Sequence, residues 1–182
     1  MTCIVGLAVG GRVVIGGDSA GVAAYDLNIR ADKKVFRNGP FVMGCTSSFR
    51  MSQLLRYALK VPERSPDHDV MSFMSLDFIN AARTAFKDGG FARKKDEAEI
   101  GGAFLVGYAG RLFTVHEDYQ IAETESGYAA CGCGESYALG AMFALASPIQ
   151  ARSFEPRDIL DAALRAAEAH SAGVRGPFHF EE

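Results

Sequence analysis

The opening stretch TCIVGLAVGGRVVIGGDSAG, residues 2–21, constrains the fold more than any other part of the chain. Two apolar, β-branched runs, Thr2 to Val9 and Arg12 to Ile15, flank the pair Gly10-Gly11. Two glycines suit a two-residue hairpin turn, so the pattern predicts an antiparallel hairpin. Chain ends are usually frayed unless something ties them down. A core strand that begins one residue after Met1 instead holds Thr2 in place. Gly16-Gly17 then permits a bulge or a close backbone approach just before Asp18-Ser19.

The rest of the chain alternates between strand-like and helix-like blocks. Residues 22–37 read as extended, less regular chain carrying Lys33-Lys34-Val35-Phe36, and Asn38-Gly39-Pro40 is a turn before the buried strand FVMGCT. Residues 48–60 predict a helix with Met51, Leu54, Leu55 and Ala58 on one face and Ser47 or Ser48 as its cap. Residues 69–87 predict another through Phe73, Leu76, Ile79, Ala82 and Phe86. DGGFARKKDEAEIGG reads as a polar loop, with the mixed charges from Arg93 to Glu97 solvated. AFLVGYAGRLFTVHED reads as strand, Ala-Gly turn, strand, and YQIAETESGYAACG as more extended chain. Helices from about Glu135 to Ala146 and from about Pro156 to His170 follow. The second has Pro156 in its first turn and a stripe of Ile159, Ala162, Ala163 and Ala166. GVRGPFHF is a last short strand. Strand runs segregated from helix pairs indicate an α+β architecture. The 182 residues contain no repeat, linker or low-complexity tract, as expected of one domain over 1–182.

Composition narrows the function. The chain is 48% apolar and 23% charged, a globular balance. Its net charge of −3 gives no basic footprint for nucleic acid. No apolar stretch is long enough for a membrane helix, and no secretory signal opens the chain. Cys3, Cys45, Cys131 and Cys133 form no Cys-x-x-Cys pair, which points to free thiols in a reducing, cytoplasmic setting and to no zinc site. His68, His116, His170 and His179 are scattered and suggest no His-Ser-Asp arrangement.

Chemistry concentrates at the start. A small residue after the initiator favours removal of Met1, leaving Thr2 with a free α-amine of pKa roughly 7.7 to 8. That amine can take the proton of the threonine's own hydroxyl, so nucleophile and base occupy one residue. A Met-Thr start alone fixes nothing. Asp18 and Lys34 give it company. A lysine beside Thr2 would lower the pKa of both amine and hydroxyl, and an aspartate would orient the lysine.

These residues resemble the start of proteasome β-type subunits, and most of all the bacterial HslV-type peptidase, with its apolar strand, hairpin and VIGGD segment. That family consists of N-terminal nucleophile hydrolases. The resemblance makes Thr2 the nucleophile, Lys34 the pKa-lowering lysine, with Lys33 as the neighbouring alternative, and Asp18 the residue that orients it. GYAACGCGESYALGAMFAL resembles the family's Gly-Ser-Gly-Gly segment, with Cys133 in the place of the serine that helps to shuttle protons. Cys133 also reads as a small buried residue at a tight turn. EAHSAGV resembles the Asp-x-x-Ser-Gly-Gly pattern, placing Glu168 at the aspartate and Ser171 at the serine; a polar helix end is the other reading of Glu168. VMGCTSSFRMSQLLR resembles the strand-to-helix corner whose backbone N–H, at Ser47 or Ser48, supplies the oxyanion hole.

The resemblance implies a four-layer αββα sandwich, two antiparallel sheets between helix layers. It implies a threonine-type endopeptidase that cleaves peptides or unfolded proteins without metal or organic cofactor. It also implies ring-forming homo-oligomers and, in many members, an ATPase unfoldase partner. Two rival readings stand beside it: a catalytically silent assembly subunit on the same fold, and an N-terminal nucleophile hydrolase of a small amide.

Overall fold

The computed structural model describes residues 1–95, 98–146 and 154–182. The elements in chain order begin with β1 (Cys3–Val9), β2 (Arg12–Gly17), β3 (Ala20–Ala23), β4 (Asp26–Ile29), β5 (Val35–Asn38) and β6 (Phe41–Cys45). Helices α1 (Phe49–Tyr57), α2 (Val70–Phe73) and α3 (Ile79–Asp88) follow, α2 and α3 being joined by a π-helical turn over Met74–Phe78. Next come β7 (Arg93–Lys95), β8 (Ala98–Ile100), β9 (Phe104–Tyr108), β10 (Arg111–Val115), β11 (Ile121–Glu123) and β12 (Tyr128–Gly132). Helices α4 (Glu135–Leu145) and α5 (Pro156–His170) and the strand β13 (His179–Glu181) close the chain.

Two larger antiparallel sheets carry the structure, in the orders β12-β1-β2-β13 and β11-β10-β9-β6-β5. The opening hairpin forms as its sequence demands: Gly10 and Gly11 both have positive φ, and Val9 pairs with Arg12. Strand period decides the rest, because successive side chains point to opposite faces. On β1, Cys3, Val5 and Leu7 join a cluster with Ala138 and Met142 of α4 and Leu160, Ala163 and Leu164 of α5. Ile4 points the other way, into a cluster with Ile15, Val35, Val42, Leu105 and Leu112 drawn from both sheets. Phe41, Met43, Phe104 and Phe113 of the second sheet meet Leu55 of α1 and Phe86 of α3. Both sheets are thus buried on two faces, which is why their central strands read as continuous apolar runs. Gly44 lets the sheets approach, since a Cβ there would lie only 2.7 Å from Ile15 Cγ2.

Several expectations change. The stretch read as irregular from residue 22 instead carries most of the β3–β4 hairpin, which begins at Ala20, and the stretch expected as a polar loop contains the β7–β8 pair, Arg93 facing Ile100. Asp96 and Glu97, within the charge run read as solvated, lie outside the described residues. Helix α1 stops at Tyr57, and Leu59 rather than Ala58 is buried. Leu76 is 58% exposed, while Met74 and Phe78 in the π turn point inward. The reason is the π winding of Met74–Phe78: each residue turns through a smaller angle than in an α-helix, so Leu76 leaves the face that Phe73, Ile79 and Ala82 share.

Candidate active site

The site forms where element ends converge. Thr2 immediately precedes β1, Asp18 follows β2, Lys34 precedes β5, Thr46-Ser47-Ser48 follows β6, Cys133 follows β12 and Ser171 caps the C-terminus of α5. Three of these polar residues are nearly without solvent: Thr2 is 5% exposed, Asp18 1% and Lys34 3%.

Their hydrogen bonds form one chain. Lys34 Nζ donates to Thr2 Oγ1 at 2.9 Å and to Asp18 Oδ1 at 2.8 Å. Asp18 Oδ1 also accepts from Cys3 N at 2.9 Å, and Oδ2 accepts from Ala20 N at 2.9 Å and Arg175 N at 3.3 Å. The register explains the placing. Ile4 pairs with Gly17, so the next residue, Asp18, falls beside Cys3. Burial pushes the Lys34 ammonium below its ordinary value of 10.5, and the charge of Asp18 and its hydrogen bond oppose that shift. Lys33, the alternative in sequence, is exposed and reaches Glu181 at 4.0 Å instead.

On the other side of Thr2 lies a sulfur. Thr2 N donates to Cys133 Sγ at 3.3 Å, Cys133 Sγ donates to Thr2 O at 3.4 Å, and Ser171 Oγ donates to Cys133 Sγ at 3.4 Å. Cys133 is the exposed cysteine of the four; the others are buried. Burial raises Cys3 and Cys45 to about 12, which removes them as thiolate nucleophiles. Met1 packs over Gly173, and its carbonyl accepts the Thr2 hydroxyl at 2.5 Å. While Met1 is attached, the Thr2 nitrogen is an amide and has no basicity.

The turn after β6 supplies donors. Ser47 has φ +57, and Ser48 N donates to Thr46 O at 2.6 Å, a strained γ-turn geometry for a residue other than glycine. Ser47 Oγ braces this turn by accepting from Ala103 N at 3.0 Å. Ser48 caps α1, accepting from Arg50 N at 3.2 Å. The Ser48 N–H is therefore occupied, whereas the Ser47 N–H has no hydrogen-bond partner among the described residues. Thr2, Lys34 and this turn line one pocket of about 480 Å³.

The structure brings Thr2, Asp18, Lys34, Cys133 and Ser171 into one connected network and sets Ser47 and Ser48 beside it. Glu168 is placed elsewhere: its Oε1 accepts Gly176 N at 2.8 Å and braces the segment that delivers Arg175 N to Asp18. Sequence reasoning missed Arg175, which acts through its backbone and leaves no side-chain signal. It also missed Gly132, whose φ of +103 lets β12 pass against the Thr2 carbonyl. The described residues hold no group of His, Cys, Asp and Glu that could bind a metal, and no helix among them is long and apolar enough to cross a membrane.

This architecture is that of the proteasome β-type and HslV-like fold. Thiobacillus denitrificans BPH, a bacterial proteasome homologue solved in complex with epoxomicin, superposes with a TM-score of 0.80 at 20% identity, covering 99% of this chain and 97% of that one. HslV from Trypanosoma brucei gives 0.67 at 17% identity, covering 99% and 98%. A Gly-1 mutant of Anbu from Hyphomicrobium sp. strain MC1 gives 0.64 at 16% identity, covering 99% and 80%. No family model matches the sequence, and no curated protein matches it.

Proposed function

We propose that the chain is a proteasome- and HslV-like threonine peptidase subunit, one domain over residues 1–182 in a four-layer αββα sandwich. The observation that carries this reading is the Lys34 ammonium, 2.9 Å from Thr2 Oγ1 and 2.8 Å from a buried carboxylate. Removal of Met1 converts the Thr2 nitrogen from amide to amine. The amine then takes the Oγ1 proton as Oγ1 adds to a peptide carbonyl. The resulting oxyanion is stabilised by the Ser47 N–H, a fixed donor of the kind such sites use. The ammonium gives its proton to the departing amine, leaving an ester on Thr2. Water adds to the ester, the amine accepts its proton, and collapse returns that proton to Oγ1 and frees the acid product.

Lys34 keeps a positive charge beside Oγ1 throughout, and Asp18 holds it there. Cys133 and Ser171 position the amine. Substrates are peptides or unfolded proteins, and the working form is a cytoplasmic ring of identical subunits. Mass spectrometry and a peptide hydrolysis assay test the reading together. The purified chain is expected to begin at Thr2 and to cleave fluorogenic peptides, and Thr2→Ala to abolish cleavage while its assembly state is unchanged. A retained Met1 with no turnover would instead favour a silent assembly subunit on this fold.

A further inference from the structure

A second nucleophile touches Thr2. Cys133 Sγ accepts from Thr2 N at 3.3 Å and from Ser171 Oγ at 3.4 Å. Two donors thus converge on one sulfur, and a Cys133 thiolate and the Lys34 ammonium attract each other. Cys133 is exposed, whereas Cys3, Cys45 and Cys131 are buried and burial pushes all three thiols up. Thiols that are exposed beside cations and donors are the ones that oxidise; buried thiols in apolar surroundings are inert. A serine here would make the same contacts with Thr2 and have none of this chemistry.

We propose that the Cys133–Thr2 pair is a modification site for hydroperoxides, at which oxidised Cys133 closes an S–N bond to the Thr2 amine and switches the peptidase off. This rests on the peptidase reading above, because Thr2 carries an amine only once Met1 has left. The Cys133 thiolate attacks one peroxide oxygen and the O–O bond breaks. The thiol proton goes to the departing oxygen, which leaves as water or an alcohol. Sulfur has lost two electrons and is a sulfenic acid. The Thr2 nitrogen is in contact with that sulfur, and its lone pair displaces hydroxide, which takes an amine proton and leaves as water. The nitrogen is then tied up in a sulfenamide, and Oγ1 has lost its proton acceptor. A small thiol reverses the step: it attacks sulfur, the S–N bond breaks and the amine regains its proton. A second thiol then frees Cys133 from the mixed disulfide.

Peroxide treatment of the purified mature protein tests this. After denaturation, alkylation and proteolysis without reductant, the N-terminal peptide is expected joined to the Cys133 peptide, the pair lighter by two hydrogens. Cys3 lies in the same N-terminal peptide, buried in the cluster under α4 and α5. It is expected to be alkylated in the joined species, which separates an S–N bond from a Cys3–Cys133 disulfide. Hydrolysis of a fluorogenic peptide is expected to fall in proportion to the joined fraction, the fully joined protein being at least about a hundredfold slower. Dithiothreitol is expected to restore it. Cys133→Ser, whatever its starting rate, is expected to keep that rate through the same treatment. A Cys3–Cys133 disulfide, Cys133 found only as free thiol or sulfinic acid, or equal inactivation of Cys133→Ser overturns the proposal. Protein that reacts with epoxomicin at Thr2 yet forms no joined peptide rejects the switch alone. Protein that cleaves no peptide before peroxide and leaves Thr2 unmodified by epoxomicin rejects the peptidase reading and the switch with it.

Discussion

Two cation–carboxylate pairs of similar length do opposite things in this molecule. Lys34–Asp18, at 2.8 Å, has side chains only 2% and 0% exposed. Arg111–Glu123, bridging β10 and β11 at 2.5 Å, has side chains 33% and 29% exposed. In the exposed pair each partner reinforces the other's charge: the hydrogen bond lowers the Glu123 carboxyl and raises the Arg111 guanidinium. In the buried pair desolvation dominates, and Lys34 is held below its ordinary value even with Asp18 in contact. Water screens one pair and leaves it a surface contact. Its absence makes the other an unscreened charge poised beside a hydroxyl.

Replacing Thr2 or Lys34 is the harshest way to break that contrast. Thr2→Ala and Lys34→Ala are each expected to lower peptide kcat/KM by about a thousandfold or more, read in a steady-state assay. Next is stability. Asp18→Ala strands a buried ammonium and is expected to cost about 3–5 kcal/mol, a Tm fall of roughly 10 °C. Arg111→Ala is expected to cost less than about 1 kcal/mol in the same melts. Equal shifts for the two would dissolve the distinction.

The pH dependence sharpens it. Below its lowered folded pKa, Lys34 is charged in both folded and unfolded chains, and the cost of burying that charge is present in full. Between its lowered folded pKa and the unfolded value of 10.5 the unfolded chain binds more protons, so this cost is relieved as pH rises. Activity runs the other way: the alkaline limb of kcat/KM is expected below pH 10.5, as the ammonium beside Oγ1 is lost. Glu123 behaves in the ordinary acidic sense, its small contribution being lost as pH falls through its lowered carboxyl pKa. The smallest expected effect is at Cys133. A hydroxyl repeats both of its contacts with Thr2, so Cys133→Ser is expected to keep kcat/KM within about tenfold of wild type.

Much of the fold was legible because burial on two faces leaves apolar runs. The β1–β2 hairpin, the Ala109-Gly110 turn between β9 and β10, and α5 from Pro156 to His170 all follow from local signals. The β7–β8 pair did not, because Arg93, Lys94 and Lys95 show no apolar alternation. The π turn was hidden because an added residue per turn leaves no mark in composition. At the site, sequence named Thr2, Asp18 and Lys34, yet only the register of β1 with β2 and the burial of Lys34 bring them together. Ser47 carried no sign of its left-handed backbone, since such a turn normally advertises itself with glycine. Glu168 matched a pattern, but its carboxylate is spent on Gly176.

The central claim is that Thr2, released from Met1, is a nucleophile made by its contact with Lys34. Peptide mapping of the protein after exposure to epoxomicin tests it most directly. The account predicts one covalent adduct on an N-terminal Thr2, formed at least about a hundredfold more slowly in Lys34→Ala. An adduct on another residue, or an equal rate of Thr2 modification without Lys34, would contradict it.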